Sequence, residues 1–297
     1  MVERSGKDLR SGRGFRRNAL VALVFLSCQL SSAAAGPIAF APQYAGSFPA
    51  GGGASARFVQ IDGTWQGSTV LWNESTHTYG SGQPIGSFAW GTGLWGRNDW
   101  QSALAAATGG TSPGLPPVVA QWTGVAPLIN FGNDVYNLYH SSTWGPAQPV
   151  PLFTSSSATQ PQENWIAHFA GFIRVTEPGT YNFGVLNDDG FFFRLIGAGG
   201  AALEIGRDFL NPRYRNGFGD DLVLAEGLYG FELGMWNRLE AGVVDLRWST
   251  DRGKTWTLVP TTSLLTVGAV PLPSPLSLLL VSTLAAWLPL RRLSRPA

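Results

Sequence analysis

From residue 57 onward the apolar positions recur mostly at every second residue. Runs such as Arg57-Phe-Val-Gln-Ile61, Ser68-Thr-Val-Leu-Trp72 and Gly86-Ser-Phe-Ala-Trp90 are short and are separated by Gly, Pro, Asn and Ser. That texture belongs to β-strands with one face buried. One stretch departs from period two. Within 98–107, Trp100, Ala103, Leu104 and Ala107 share a helical face, Asn98 stands as a cap and Gly109-Gly110 as a stop, so the spacing predicts one short helix. Pro113, Pro116 and Pro117 then open a loop, and a strand resumes at 118–122.

The second half has the clearest pattern. Strands are predicted at 165–175, 180–186, 191–196, 221–224, 230–236 and 243–248. Glu177-Pro178-Gly179 is a turn, and Asn187-Asp188-Asp189-Gly190 is a tight connection read as a hairpin. Strands every 8–15 residues joined by such turns predict an all-β protein built as an antiparallel β-sandwich. Residues 146–162 are rich in Pro, Ser, Thr and Gln and are read as a long surface loop. Residues 36–56, with Gly51-Gly52-Gly53, are read as a flexible lead-in to a body spanning 57–268.

The two ends change the picture of composition. The start carries Arg4, Lys7, Arg10, Arg13, Arg16 and Arg17, then an apolar run from Ala19 to Leu26, then Ser31-Ser32-Ala33-Ala34-Ala35. This order predicts a secretory signal over 1–35; the apolar run is too short to span a bilayer. The single cysteine, Cys28, falls inside it, so a lipoprotein reading is the alternative, and a mature body would owe nothing to disulfides. At the other end, Val270-Pro271-Leu272-Pro273-Ser274-Pro275 precedes an apolar run from Leu276 to Leu290, and Arg291, Arg292 and Arg295 follow. Without the two terminal segments the body holds 11 basic and 17 acidic residues, a net charge of about −6. An acidic body with no basic run argues against nucleic acid as a partner.

Two resemblances follow from these motifs. The V-P-L-P-S segment, apolar run and arginine cluster over 269–297 resemble PEP-CTERM sorting tails, in their V-P-L-P variant. The resemblance implies recognition by an exosortase-type membrane protease and an envelope, surface or extracellular destination, with transient anchoring by the tail; a plain C-terminal anchor is the alternative. Within the body, Gly171-Phe-Ile, Gly179-Thr-Tyr-Asn-Phe, Asn187-Asp188-Asp189-Gly190, Ala225-Glu226-Gly227-Leu228-Tyr229, Phe231-Glu-Leu-Gly-Met-Trp236 and Asp245-Leu-Arg-Trp248 occur in order over 163–266. That ordered set resembles the protective-antigen ("PA-fourteen") and GLEYA-type lectin-like modules. It implies a lectin-like sandwich of jelly-roll type, with glycan as the partner.

Candidate chemistry centres on Asp188 and Asp189. Two adjacent carboxylates suit a solvated turn, or a Ca²⁺ ion, which takes six to eight hard oxygen donors. The resemblance implies the aspartate pair as ligand and metal residues, with Asn237, just past the strand that follows Gly227-Leu228-Tyr229, as the third. The remaining signals point to structure. Ser249-Thr250-Asp251-Arg252-Gly253-Lys254-Thr255-Trp256 fits one Asp-box, predicting a closing hairpin. Gly197–Ala202 imitates a dinucleotide fingerprint, but a strand follows it where a helix is required. His77, His140 and His168 are scattered without zinc spacing. No nucleophile elbow or paired-carboxylate spacing marks an enzyme. The tryptophans from Trp65 to Trp165 suit either a core or a sugar-stacking surface. The sequence thus predicts an exported carbohydrate-binding module, calcium-assisted where the aspartate pair holds an ion. The alternative is a structural matrix protein without a defined ligand.

Overall fold

The computed structural model describes residues 36–67, 70–73, 78–81, 92–153 and 161–269. The signal segment, the sorting tail and the run at 86–90 lie outside the described residues. In chain order the elements are β1 (Ile38–Phe40), β2 (Tyr44–Ala45), β3 (Ala54–Ile61), β4 (Val70–Asn73), β5 (Thr78–Ser81), α1 (Arg97–Ala107), β6 (Val118–Ala126) and β7 (Asn130–Gly132). They continue with α2 (Asp134–Tyr139), α3 (Ser141–Trp144), β8 (Gln148–Pro149), β9 (Trp165–Val175), β10 (Gly179–Asp188), β11 (Gly190–Ile196) and β12 (Ala202–Arg207). The last are β13 (Tyr214–Gly217), β14 (Leu222–Leu224), β15 (Gly227–Asn237), β16 (Val243–Ser249), β17 (Thr257–Leu258) and β18 (Leu264–Leu265).

Two sheets form the sandwich. The first runs β1-β14-β10-β16-β7-β8, with β13 also on β10 and β17 on β16. The second runs β12-β11-β15-β9-β3-β6, with β18 on β9 and β2 on β15. Pairing is antiparallel except between β1 and β14 and between β7 and β8. The period-two pattern explains the core. Phe183 and Val185 of β10 and Val244 and Leu246 of β16 face inward from one sheet; Phe191, Phe193, Phe231, Leu233, Phe169 and Phe58 face them from the other. At about 25 cal/mol per Å², each buried Phe contributes on the order of 2–3 kcal/mol.

The outer faces are covered locally. Phe192, between two core-facing phenylalanines, packs outward with Ile166 and Trp236 against Trp100 of α1. Its ring lies 4.8 Å from that of Trp100, edge-on. On the other sheet, Leu186 and Val243 pack outward under Tyr136 of α2.

Four expectations differ from the structure. The sequence predicts one helix, whereas three occur among the described residues; α2 and α3 have six and four residues, too short to show a 3.6 period. Helix α1 starts at Arg97 with Gly96 as cap, not Asn98, and the Asp208 carboxylate accepts from Arg97 N–H at 2.8 Å. The expected lead-in at 36–56 contains β1, β2 and the start of β3. Its glycines serve close packing: a Cβ on Gly51 would overlap the Leu264 carbonyl, and Gly53, at φ +129°, lies against Ala126. Finally, Asn187–Gly190 is no hairpin. β10 and β11 belong to different sheets, so the chain crosses the sandwich there.

The Asp-box does close as expected. Asp251 accepts from Thr255 N–H at 2.9 Å and from its hydroxyl at 2.6 Å, and Ser249 Oγ accepts from Gly253 N–H. The two Thr255 bonds, with one donated by the Ser249 hydroxyl at 2.7 Å, hold the Asp251 carboxyl down at about 2.

Candidate functional site

The aspartate pair stands where the chain passes between sheets. Asp188 ends β10 opposite Val243 of β16. Two residues later Gly190 begins β11 opposite Trp236 of β15. The Asp188–Asp189 peptide is cis. Asp189 N–H donates to the Trp236 carbonyl at 3.0 Å, and Asn187 Nδ2 donates to the Asp189 carbonyl at 2.7 Å. Gly190 admits no side chain, because a Cβ would overlap the Trp236 indole and approach the Phe209 carbonyl to 2.6 Å.

A second crossing lies beside the first. From β15 the chain returns to the first sheet as β16 through 238–242. Arg238 N–H donates to Asp189 Oδ2 at 2.8 Å, so the two crossings are bonded to each other. Asn133, the cap of α2, pins the far end: its amide donates to the Glu240 carbonyl at 2.6 Å, and its oxygen accepts from Gly242 N–H at 3.1 Å. The loop after β12 completes the enclosure. Phe209 offers its carbonyl to Trp236 Nε1 at 3.1 Å, and the chain then delivers Arg213, whose Nη2 lies 2.8 Å from Asp188 Oδ2.

Together these segments line a cleft of about 360 Å³. Asp188, Asp189 and Glu240 supply acid, Arg213 and Arg238 supply base, and Leu210, Leu239 and Ala241 supply apolar wall, with His140 at one side. Asp188 is 8% exposed. Burial pushes Asp188 up to about 7; the neighbouring Asp189 charge adds to the rise and Arg213 opposes it. Burial likewise pushes Asp189 up to about 7 against the pull of the Arg238 N–H. At both aspartates burial outweighs the pull of the neighbouring Arg213 and Arg238. Burial, with Arg213 nearby, lowers His140 below its ordinary 6.5, leaving it neutral at pH 7.

The structure brings Asp188 and Asp189 to the cleft and leaves Asn237 out of its lining. Asn237 is fully buried. In the orientation that satisfies its neighbours, its nitrogen donates to the carbonyls of Leu239 at 3.2 Å and Ala241 at 3.1 Å, and its oxygen accepts from Trp165 Nε1 at 3.2 Å. It braces the second crossing from beneath. For calcium, each aspartate has one oxygen, Oδ2, held by protein, which leaves the Oδ1 atoms as donors. Carboxylate oxygens are the hard donors such a cation takes. Among the described residues no three acidic or histidine side chains converge as a metal cage, so the fit rests on the pair.

Arg213 and Asn133 were not singled out by the sequence, and His140 was read there only as one of three scattered histidines without zinc spacing. Only Asn133 carried a signal, as a capping residue before a short apolar run. Of the tryptophans from Trp65 to Trp165, Trp95, Trp100 and Trp165 are core residues at most 3% exposed, Trp65, Trp122 and Trp144 are half-buried, and Trp72 and Trp90 have no described side chain. The exposed aromatics are instead Tyr139, at 68%, and Tyr214, at 57%. They adjoin His140 and Arg213 in the chain.

A scan against protein-family models finds no match, and a search of curated proteins finds none. Among solved structures the chain is similar to the PA14 domain of the MpAFP antifreeze protein, at 16% identity and TM-score 0.41, covering 77% of this chain and 98% of that one. It is similar to the epithelial adhesin 6 A domain from Candida glabrata, in complex with Galβ1-3GlcNAc, at 13% identity and TM-score 0.42, covering 77% and 92%. It is also similar to an anti-sigma factor domain-containing protein, at 16% identity and TM-score 0.35, over 49% of this chain; it spans only 42% of that protein's length.

Proposed function

We propose that this chain is an exported carbohydrate-binding β-sandwich module that takes its glycan in the cleft at Asp188 and Asp189. The observation that carries the reading is the cleft itself: two adjacent, partly desolvated carboxylates beside an apolar wall of Leu210 and Leu239. A sugar ring offers matching surfaces, with hydroxyls for carboxylates and C–H faces for apolar side chains. Leu239, in the cleft wall, is 44% exposed, and an exposed apolar side chain suits the C–H face of a sugar ring. The role is binding rather than catalysis.

Calcium belongs to this proposal. Asp188 and Asp189 would hold it, and the bound ion supplies positive charge together with coordination positions for hydroxyl groups. Asn237 serves the site by bracing 238–241. The terminal segments complete the reading: the basic-apolar start directs export, and an exosortase-type protease removes the V-P-L-P-S tail at the envelope. The resulting product sits at the cell surface or in an extracellular matrix.

A glycan array probed with the purified chain, with and without Ca²⁺, tests the reading. Binding that strengthens with Ca²⁺ and disappears in Asp189→Asn supports it. No glycan bound in either condition leaves the structural matrix protein as the better account.

A further inference from the structure

The second sheet ends in a strand whose single edge protection is a bulge at its start, where Ala120 pairs with Gln60 and Val118 with Ile61, leaving Val119 as the extra residue. Among the described residues β6 pairs with β3 alone. It is nine residues long, Val-Val-Ala-Gln-Trp-Thr-Gly-Val-Ala, with no charge and no proline inside it. Natural edges are blunted by charged side chains, prolines, bulges or brevity. The other sheet ends follow that practice: β12 carries Glu204 and Arg207, β1 has three residues, and β8 has two, one of them Pro149. Among the described residues β6 is the longest uncharged sheet end, and no second strand pairs with it.

The sequence of β6 says which strand. Read outward from Trp122, its two halves match. Gln121 mirrors Thr123, Ala120 mirrors Gly124, Val119 mirrors Val125, and the prolines at 117 and 127 mirror each other as stops. Placed antiparallel against a copy of itself about Trp122, the regular part of β6 past the bulge sets polar beside polar and small beside small. Such cross-strand pairs are the unit of sheet stabilisation. Val125, at 50% exposure, would be covered by the partner strand. Trp122 packs against Phe58 at 6.0 Å on the core side, and a Cβ on Gly124 would meet the Trp122 ring, so the small residues leave room for the two indoles at the axis. A self-complementary patch is what an isologous two-fold interface requires.

We propose that β6 is a homodimerisation edge, at which two copies of this chain join their second sheets antiparallel about Trp122. The register makes a specific test. Positions 121 and 123 lie opposite each other across the axis. Gln121→Lys with Thr123→Lys therefore opposes like charges twice, whereas Gln121→Lys with Thr123→Glu opposes unlike charges twice. Sedimentation of the full chain over a concentration series is expected to show a reversible dimer in the wild type. The Lys/Lys pair should weaken it by about tenfold or more, and the Lys/Glu pair should retain it. Both double variants lose the bond in which Gln121 Oε1 accepts from Arg57 Nη1 at 3.3 Å, so circular dichroism checks that each still melts cooperatively, and the two are compared with each other as well as with the wild type. A wild type that stays monomeric at high concentration overturns the proposal. So does association that responds equally to both pairs, which would place the contact elsewhere, including on the terminal apolar segments.

Discussion

Replacing Asp189 by Asn should stabilise this protein at alkaline pH while removing its binding capacity. Asp189 is pushed from 3.8 to about 7, mainly by burial. Because the folded value lies above the unfolded one, the folded state holds a proton that the unfolded chain has already released. The resulting penalty is absent below pH 4, grows by about 1.4 kcal/mol per pH unit up to neutrality, and is constant above it. Its full size is about 4 kcal/mol. Asparagine keeps an oxygen for the Arg238 N–H, which donates at 2.8 Å, and adds an amide nitrogen that needs an acceptor, at a cost of about 1–2 kcal/mol. The net gain at pH 8 is about 2–3 kcal/mol, a rise in Tm of about 5 °C or more for a chain of this size. At pH 5 the carboxylate penalty is about 1–2 kcal/mol, which the amide cost nearly cancels, so Tm should hardly move. Thermal melts of both proteins at pH 5 and pH 8, in chelator, measure this. A Tm that falls at pH 8, or rises equally at both values, refutes the account of a desolvated pair.

Two further changes probe the support of the site and of the sandwich. Asn237→Ala leaves the Leu239 and Ala241 carbonyls and Trp165 Nε1 without their partner; denaturant unfolding should register a loss of about 2–3 kcal/mol, together with weaker glycan binding. Phe193→Ala opens a cavity between the sheets, where Phe193 lies among Phe183, Phe218 and Phe231. The same measurement should show a loss of about 3–5 kcal/mol, with the helix-covered outer faces unaffected in the native state.

Much of the sandwich was legible because its strands obey period two. Thr180–Leu186 and Phe191–Ile196 were both visible as strands, and both lie within β10 and β11. Their partners were not visible. A tight Asn-Asp-Asp-Gly connection reads equally as a hairpin or as a crossing, since turn chemistry is local and sheet membership is not. The Gly51–Gly53 run misled for a related reason: composition reports conformational freedom, but here the missing side chains accommodate Leu264 and Ala126. At the site, the carboxylates were legible as an unusual pair. Arg213 was not, because it reaches Asp188 from 25 residues away through a loop set by the Phe209–Trp236 bond. Asn237 was found for its position and turned out to be bonded beneath the cleft.

The paired crossings have a mechanical consequence. The segments at 188–190 and 238–242 are both straps between the two sheets, and both border one cleft. A molecule that grips the two straps is therefore a rivet through the layers, resisting any slide of one sheet over the other. Its imprint would extend beyond its own contacts, as slower amide exchange along β10 and β16 in one layer and β11 and β15 in the other.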